Sequence, residues 1–138
     1  MIIRENTRET VSNASEVVRV LRAILAEDSE IDRDKEHLWS VGLNTKNVIK
    51  FVDLVSLGTL TGSLVGPREF FRLAVKKGVA SLICIHNHPS GDPTPSRDDL
   101  VVTQRLKSAG DILGITLLDH VIIGDNQRFV SLKERGDL

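Results

Sequence analysis

Apolar residues recur along the 138-residue chain with two alternating periods, and these set out the expected elements. Val17, Leu21, Ile24 and Leu25 fall on one helical stripe. Asn13 and Glu16 have the form of a capping box at its start. A charged connection, 27–35, follows. His37, Trp39, Val41 and Leu43 alternate with their neighbours, which predicts a strand over 37–44. Asn44-Thr45-Lys46-Asn47 has turn composition, and 48–55 reads as the returning strand, with one side wetted because it carries Lys50 and Asp53. Residues 56–66, with three glycines, read as extended and turn-rich. Pro67 suits a first helical position, Phe70, Phe71, Ala74 and Val75 form the inner side of that helix, and Gly78 suits its C-terminal cap. Arg68, Arg72 and Lys76 form an outer basic row, read as a solvated face. Residues 80–85 are a continuous apolar run, the pattern of a buried strand. Val102, Leu106, Ala109 and Leu113 predict the longest helix, closed by Gly114, and strands follow at 115–123 and 128–132 around a Gly124-Asp125-Asn126 turn. Residues 1–12 show no period and read as an N-terminal extension to a single domain over 13–138. The sum is an α/β layer fold, a central mixed sheet with helices packed against it.

Composition narrows the function classes. Eighteen basic and 19 acidic side chains leave a formal net charge of −1, so direct nucleic-acid binding by this chain alone is not expected. A single cysteine, Cys84, excludes an internal disulfide and cysteine-rich zinc motifs. No apolar run approaches a membrane span and residues 1–10 do not read as a signal peptide, so a cytoplasmic protein is expected.

The candidate chemistry lies in Ile85-His86-Asn87-His88-Pro89-Ser90-Gly91-Asp92-Pro93-Thr94-Pro95-Ser96-Arg97-Asp98-Asp99, between the buried strand and the longest helix. Strand alternation puts His86 and His88 on one face and Asn87 on the other. Asp99, in the first turn of the helix, can point back at the strand end. Two imidazoles and one carboxylate suit zinc, and three protein ligands leave a fourth tetrahedral position open, as catalytic sites do. Ser96-x-x-Asp99 is equally the pattern of a capping box, and the two roles are compatible. Cys84 shares the histidine face, roughly 6–7 Å along the strand from His86, and reads as a packed thiol. Asp119 and His120 interrupt an apolar strand, and a role behind a metal-bound histidine would give them the partners that buried polar groups need. His37 should face away from its neighbour Glu36. On residues alone Glu36 reads as a surface glutamate in the charged run with Asp32, Asp34 and Lys35.

His86-x-His88, then Ser96 and Asp99 at this spacing, resemble the signature of the JAB/MPN (JAMM) zinc metalloprotease family. The longer string His86-Asn87-His88-Pro89-Ser90-Gly91-Asp92-Pro93-Thr94-Pro95-Ser96 resembles its RadC branch, as do Leu43-Asn44-Thr45-Lys46-Asn47, Pro67-Arg68-Glu69 and Leu118-Asp119-His120-Val121-Ile122. The resemblance runs from about residue 13 onward. It implies a cytidine-deaminase-like α/β fold, a zinc ion held by His86, His88 and Asp99, and hydrolysis of peptide or isopeptide bonds in a peptide or protein substrate. It matches Ser96 to the family's transition-state serine and Glu36 to its upstream glutamate. The helix-hairpin-helix segment that usually precedes this domain in the RadC branch has no counterpart in these 138 residues, so DNA binding through such a segment is not expected.

Amide hydrolysis needs a carboxylate outside the metal shell to take the attacking water's proton and pass it to the leaving amine, the role open to Glu36. Ser96 would donate to the developing oxyanion. Base deaminases need His-x-Glu and Pro-Cys-x-x-Cys, and this chain has neither. The rival reading is a non-catalytic or weakly catalytic zinc-binding module in DNA repair or DNA metabolism. Such a module would tolerate loss of Glu36 or Ser96, and both are present.

Overall fold

The computed structural model of the protein describes residues 1–58 and 65–138. Most of the segment read as turn-rich, 56–66, therefore lies outside the described residues. Eleven elements follow one another among those described: β1 (Ile2–Glu5), α1 (Ala14–Ala26), α2 (Glu30–Arg33), β2 (Glu36–Leu43), β3 (Ile49–Gly58), α3 (Pro67–Lys77), β4 (Ser81–Asn87), α4 (Arg97–Leu113), β5 (Thr116–Ile123), β6 (Phe129–Ser131) and α5 (Leu132–Arg135). The strands form one mixed sheet in the order β1-β3-β2-β4-β5-β6. Among the described strands only β4 and β5 run parallel, and α4 is the crossover that a parallel pair requires.

Strand alternation divides the core into two layers. On one face α1 lays Val17, Leu21 and Ile24 against Trp39, Val41, Ile83 and Ile85. On the other, α3 and α4 lay Phe70, Phe71, Val102 and Leu106 against Leu38, Phe51, Leu82 and Cys84. Even-numbered residues of β4 thus face α4, which is the face carrying His86.

The local signals act as their chemistry requires. The Asn44 side chain accepts from the N–H groups of Lys46 (2.9 Å) and Val48 (3.0 Å), and Asn47 takes a left-handed φ of 60°, closing the β2–β3 hairpin. Asn13 caps α1 by accepting from the Glu16 N–H at 3.1 Å. The reciprocal bond is displaced by one residue, because Glu16 accepts from Ser12 at 2.7 Å and not from Asn13.

The structure corrects several expectations. Within residues 1–12, Ile2–Glu5 form edge strand β1, antiparallel to β3, and Thr10 bridges to Val48. Asp53 is buried, not wetted: it faces the α3 side, where the Met1 amine meets it at 2.9 Å. Val75 is 58% exposed and Leu73 takes its place on the inner stripe of α3. Leu113, the last residue of α4, is 49% exposed. The charged connection holds α2, capped by Ser29, and Ser131 caps α5; each is a single turn, too short to show a period. Among the described residues, no helix is long and apolar enough to cross a membrane.

Candidate metal centre

The centre lies at the C-terminal end of β4, where the parallel pair meets the N-terminus of its crossover helix. The carboxyl end of parallel strands is the general location of ligand sites in open α/β sheets. β4 delivers His86 from its last turn of pleat, and His88 follows on the same face. The loop after it is tied to the β5–β6 turn: the His88 N–H donates to the Ile123 carbonyl at 2.9 Å, and the Arg128 guanidinium donates to the Gly91 carbonyl at 2.9 Å. Ser96 then opens α4 with a reciprocal capping box. Its Oγ accepts from the Asp99 N–H at 3.1 Å, and Asp99 Oδ2 accepts from the Ser96 N–H at 2.7 Å. This box turns the Asp99 carboxylate back onto the strand end.

Three ligand-type atoms converge as a result. His86 Nε2 and His88 Nε2 are 3.0 Å apart. Asp99 Oδ1 lies 3.1 Å from the first and Asp99 Oδ2 lies 3.1 Å from the second. His86 and Asp99 are buried, and His88 is partly open to solvent. The outer nitrogens are engaged elsewhere. His88 Nδ1 lies 2.8 Å from the Asp92 carbonyl, which can only accept, so Nδ1 carries a proton and Nε2 is the nitrogen turned to the other two groups. His86 Nδ1 lies 2.7 Å from His120 Nε2, and His120 Nδ1 lies 2.5 Å from Thr103 Oγ1. His86, His88 and Asp99 can therefore hold a metal ion.

The electrostatics of the pocket favour a cation. Burial raises the Asp99 pKa, but the bonds from His86 and His88 outweigh it and hold the carboxyl far below the usual carboxylate range. The His88 pKa is raised, first by Asp99 and against the effect of burial, with the Asp92 carbonyl and the charges of Asp99 and Glu36 adding to the rise. His120 is pushed well below its ordinary value by complete burial and then by the charge on His86. Cys84 is a buried core thiol whose pKa is pushed up by burial first and then by Asp99 and Asp119.

The remaining sequence candidates separate by strand parity. Glu36 begins β2, two residues before Leu38, which pairs with His86. It therefore lies on the histidine face, and its charge is felt at His88. His37 faces the other way, stacked on Trp39, with its ring nitrogens at Lys35 O (2.8 Å) and Asp28 Oδ2 (2.7 Å). His120 stands directly behind His86, whereas Asp119 points to the α1 side. There it accepts from Ser131 Oγ at 2.5 Å, from the Lys133 N–H at 3.0 Å and from the His120 backbone N–H at 2.7 Å, so it meets His120 at the main chain and not at the ring.

Two participants were not singled out from the sequence. Thr103 is one; its position four residues after Asp99 on α4 was the available signal. The other is Asn87, whose Oδ1 accepts from the His37 N–H at 2.6 Å and whose Nδ2 donates to the Lys35 carbonyl at 3.1 Å. Asn87 thus grips the backbone on both sides of Glu36.

Comparison with known proteins agrees with this geometry. The family model for the RadC-like JAB domain matches residues 11–137. Among relatives, the chain is 55% identical over 105 residues to the UPF0758 protein of Desulforamulus reducens, covering 76% of this chain and 46% of that protein. It is 57% identical over 102 residues to a UPF0758 protein of Geobacillus kaustophilus, covering 74% and 45%. A UPF0758 protein of Bacillus licheniformis is 59% identical over 104 residues, covering 75% and 46%. The chain spans just under half the length of these relatives. With the family model covering nearly all of its residues, the chain belongs to the RadC-like JAB domain family.

Proposed function

We propose that this domain is a zinc-dependent hydrolase of peptide or isopeptide bonds. The observation that carries the reading is the convergence of two imidazole Nε2 atoms and one carboxylate at separations of 3.0–3.1 Å. Ligands at zinc's usual 2.0–2.1 Å in a tetrahedron stand about 3.3 Å apart, near the separations seen here. The donor set of two nitrogens and one oxygen leaves one position for a reactant, as in hydrolytic zinc sites.

When bound, zinc supplies a Lewis acid for the scissile carbonyl and lowers the pKa of water to around 7. The chain's own groups divide the remaining work. Glu36, on the histidine face, accepts a proton from the attacking water and returns it to the leaving amine. Ser96 Oγ accepts from the Asp99 N–H, which leaves its own proton to donate to the developing oxyanion. Asn87 holds the Glu36 backbone in register with the strand that carries the histidines.

The reading is tested by incubating the zinc-loaded protein with a library of peptides and lysine-linked isopeptides and sequencing the products. Cleavage that disappears with a chelator and returns with zinc is expected. No cleavage above background by protein carrying one zinc per chain would overturn it.

A further inference from the structure

Behind the three ligand atoms lies a closed hydrogen-bonded circuit. His86 Nδ1 meets His120 Nε2 at 2.7 Å, and His120 Nδ1 meets Thr103 Oγ1 at 2.5 Å. Thr103 Oγ1 in turn donates to the backbone carbonyl of Asp99 at 2.7 Å. The circuit thus starts at one ligand residue and ends at another. His86, Thr103 and His120 are buried, with Thr103 and His120 fully shielded from solvent.

The proton count in this circuit has one solution when His86 Nε2 faces a cation. That nitrogen then carries no proton, so His86 Nδ1 must donate. His120 Nε2 must accept, since a second N–H there would meet the first head-on. The His120 proton is then on Nδ1 and points at Thr103 Oγ1. The hydroxyl accepts it and directs its only proton to the Asp99 carbonyl. A carboxylate in the place of His120 would accept the same bond but would add a negative charge behind the centre. The imidazole accepts it as a neutral group.

We propose that His120 and Thr103 are positioning residues: a neutral relay that fixes the tautomer and ring plane of His86 and ties His86 to Asp99 as one metal-binding unit. The proposal rests on metal binding by His86, His88 and Asp99, and it stands or falls independently of hydrolysis. Outer partners of metal-bound histidines commonly carry about 10–100-fold in metal affinity. The sequence points to His120 behind a metal-bound histidine but not to Thr103, 17 residues before it; the α4–β5 crossover brings the two together.

The test measures zinc affinity by competition with a chromophoric chelator, alongside long-range ¹H–¹⁵N spectra of the histidine rings in the zinc-loaded wild type. His120→Leu should weaken zinc by about 10–100-fold, and Thr103→Val should weaken it in the same direction. His120→Gln offers an amide oxygen to His86 and an N–H to Thr103, and Thr103→Ser keeps the hydroxyl, so both should recover most of the loss. A residue that merely filled space would show no such recovery. In the spectra His86 and His120 should each be neutral with the proton on Nδ1. That measurement uses the wild type and holds even if a variant fails to fold. Zinc binding by wild type with an Nε2-protonated His120, or unchanged zinc affinity in folded His120→Leu, would overturn the relay. Failure of the wild type to bind zinc at all would instead overturn the metal site itself.

Discussion

Ser96 and Asp99 cap each other's backbone, and the oxygen of Asp99 that accepts the Ser96 N–H at 2.7 Å is the one lying 3.1 Å from His88 Nε2. One carboxylate therefore starts a helix and completes the group of side chains that could hold a metal ion. The helix start fixes where the carboxylate points, so the geometry of the centre is inherited from a local folding rule and does not depend on a flexible loop.

Ser96→Ala should act through both functions. Loss of the cap should destabilise the protein by about 0.5–2 kcal/mol in chemical denaturation. Loss of the hydroxyl donor should lower kcat by on the order of 10²–10³ on any cleaved substrate. Unchanged turnover with the expected loss of stability would make Ser96 a cap alone.

Asp99→Asn separates the two functions in the other direction. The amide oxygen can still accept the Ser96 N–H, so the helix start should hold and the melting temperature of the metal-free protein should change little. The anionic ligand is lost, and zinc affinity should fall by more than the about 10–100-fold associated with an outer partner. Retention of zinc at wild-type affinity would show that Asp99 serves the helix only.

Asn87→Ala should impair turnover without touching the metal. It removes the acceptor of the buried His37 N–H and the donor to Lys35, at a cost of about 1–3 kcal/mol for the unsatisfied group. Zinc content should stay at the wild-type level. The strand start carrying Glu36 loses its anchor, and a displacement on the order of 1 Å of an acting group can cost about 10²-fold in rate. A variant with full activity would show that the Asn87 grip is irrelevant to Glu36.

Gly110→Ala tests the packing of α4, the helix that delivers Asp99 and Thr103. Helix propensity alone favours alanine by about 1 kcal/mol. A Cβ at this position would run into the Ile115 carbonyl oxygen and approach Phe71 Cζ at 3.2 Å. Overpacking typically costs about 1–3 kcal/mol, so net destabilisation is expected in thermal or chemical denaturation. A stabilised variant would show that α4 can move away from α3 and the following strand without strain.

The features legible in the sequence are those fixed by short-range periodicity. Alternation along β4 placed His86 and His88 together, and the capping-box spacing placed Asp99 at a helix start facing them. The same alternation separates Asp119 from His120, whose chain neighbour Asp119 turns to Ser131 and Lys133 on the opposite face. Thr103 and Asn87 were not legible, because each acts through a contact made only by the sheet or its crossover: Asn87 reaches His37, 50 residues away. β1 was missed for a related reason. Four residues with adjacent isoleucines show no alternation, and pairing with β3 decides their conformation. Asp53 has the character of a wetted strand residue, and the sequence does not show that the Met1 amine lies against it.

In the proposed hydrolase Glu36 moves a proton beside a metal that His86, His88 and Asp99 would hold. Glu36→Gln preserves size and hydrogen-bonding reach but cannot accept that proton. The direct measurement is the hydrolysis rate of the best substrate from the library by this variant and by wild type, at equal zinc content and equal melting temperature. The account predicts a fall of about 10²–10⁴-fold with zinc retained. Hydrolysis at the wild-type rate by the zinc-loaded Gln variant would contradict it.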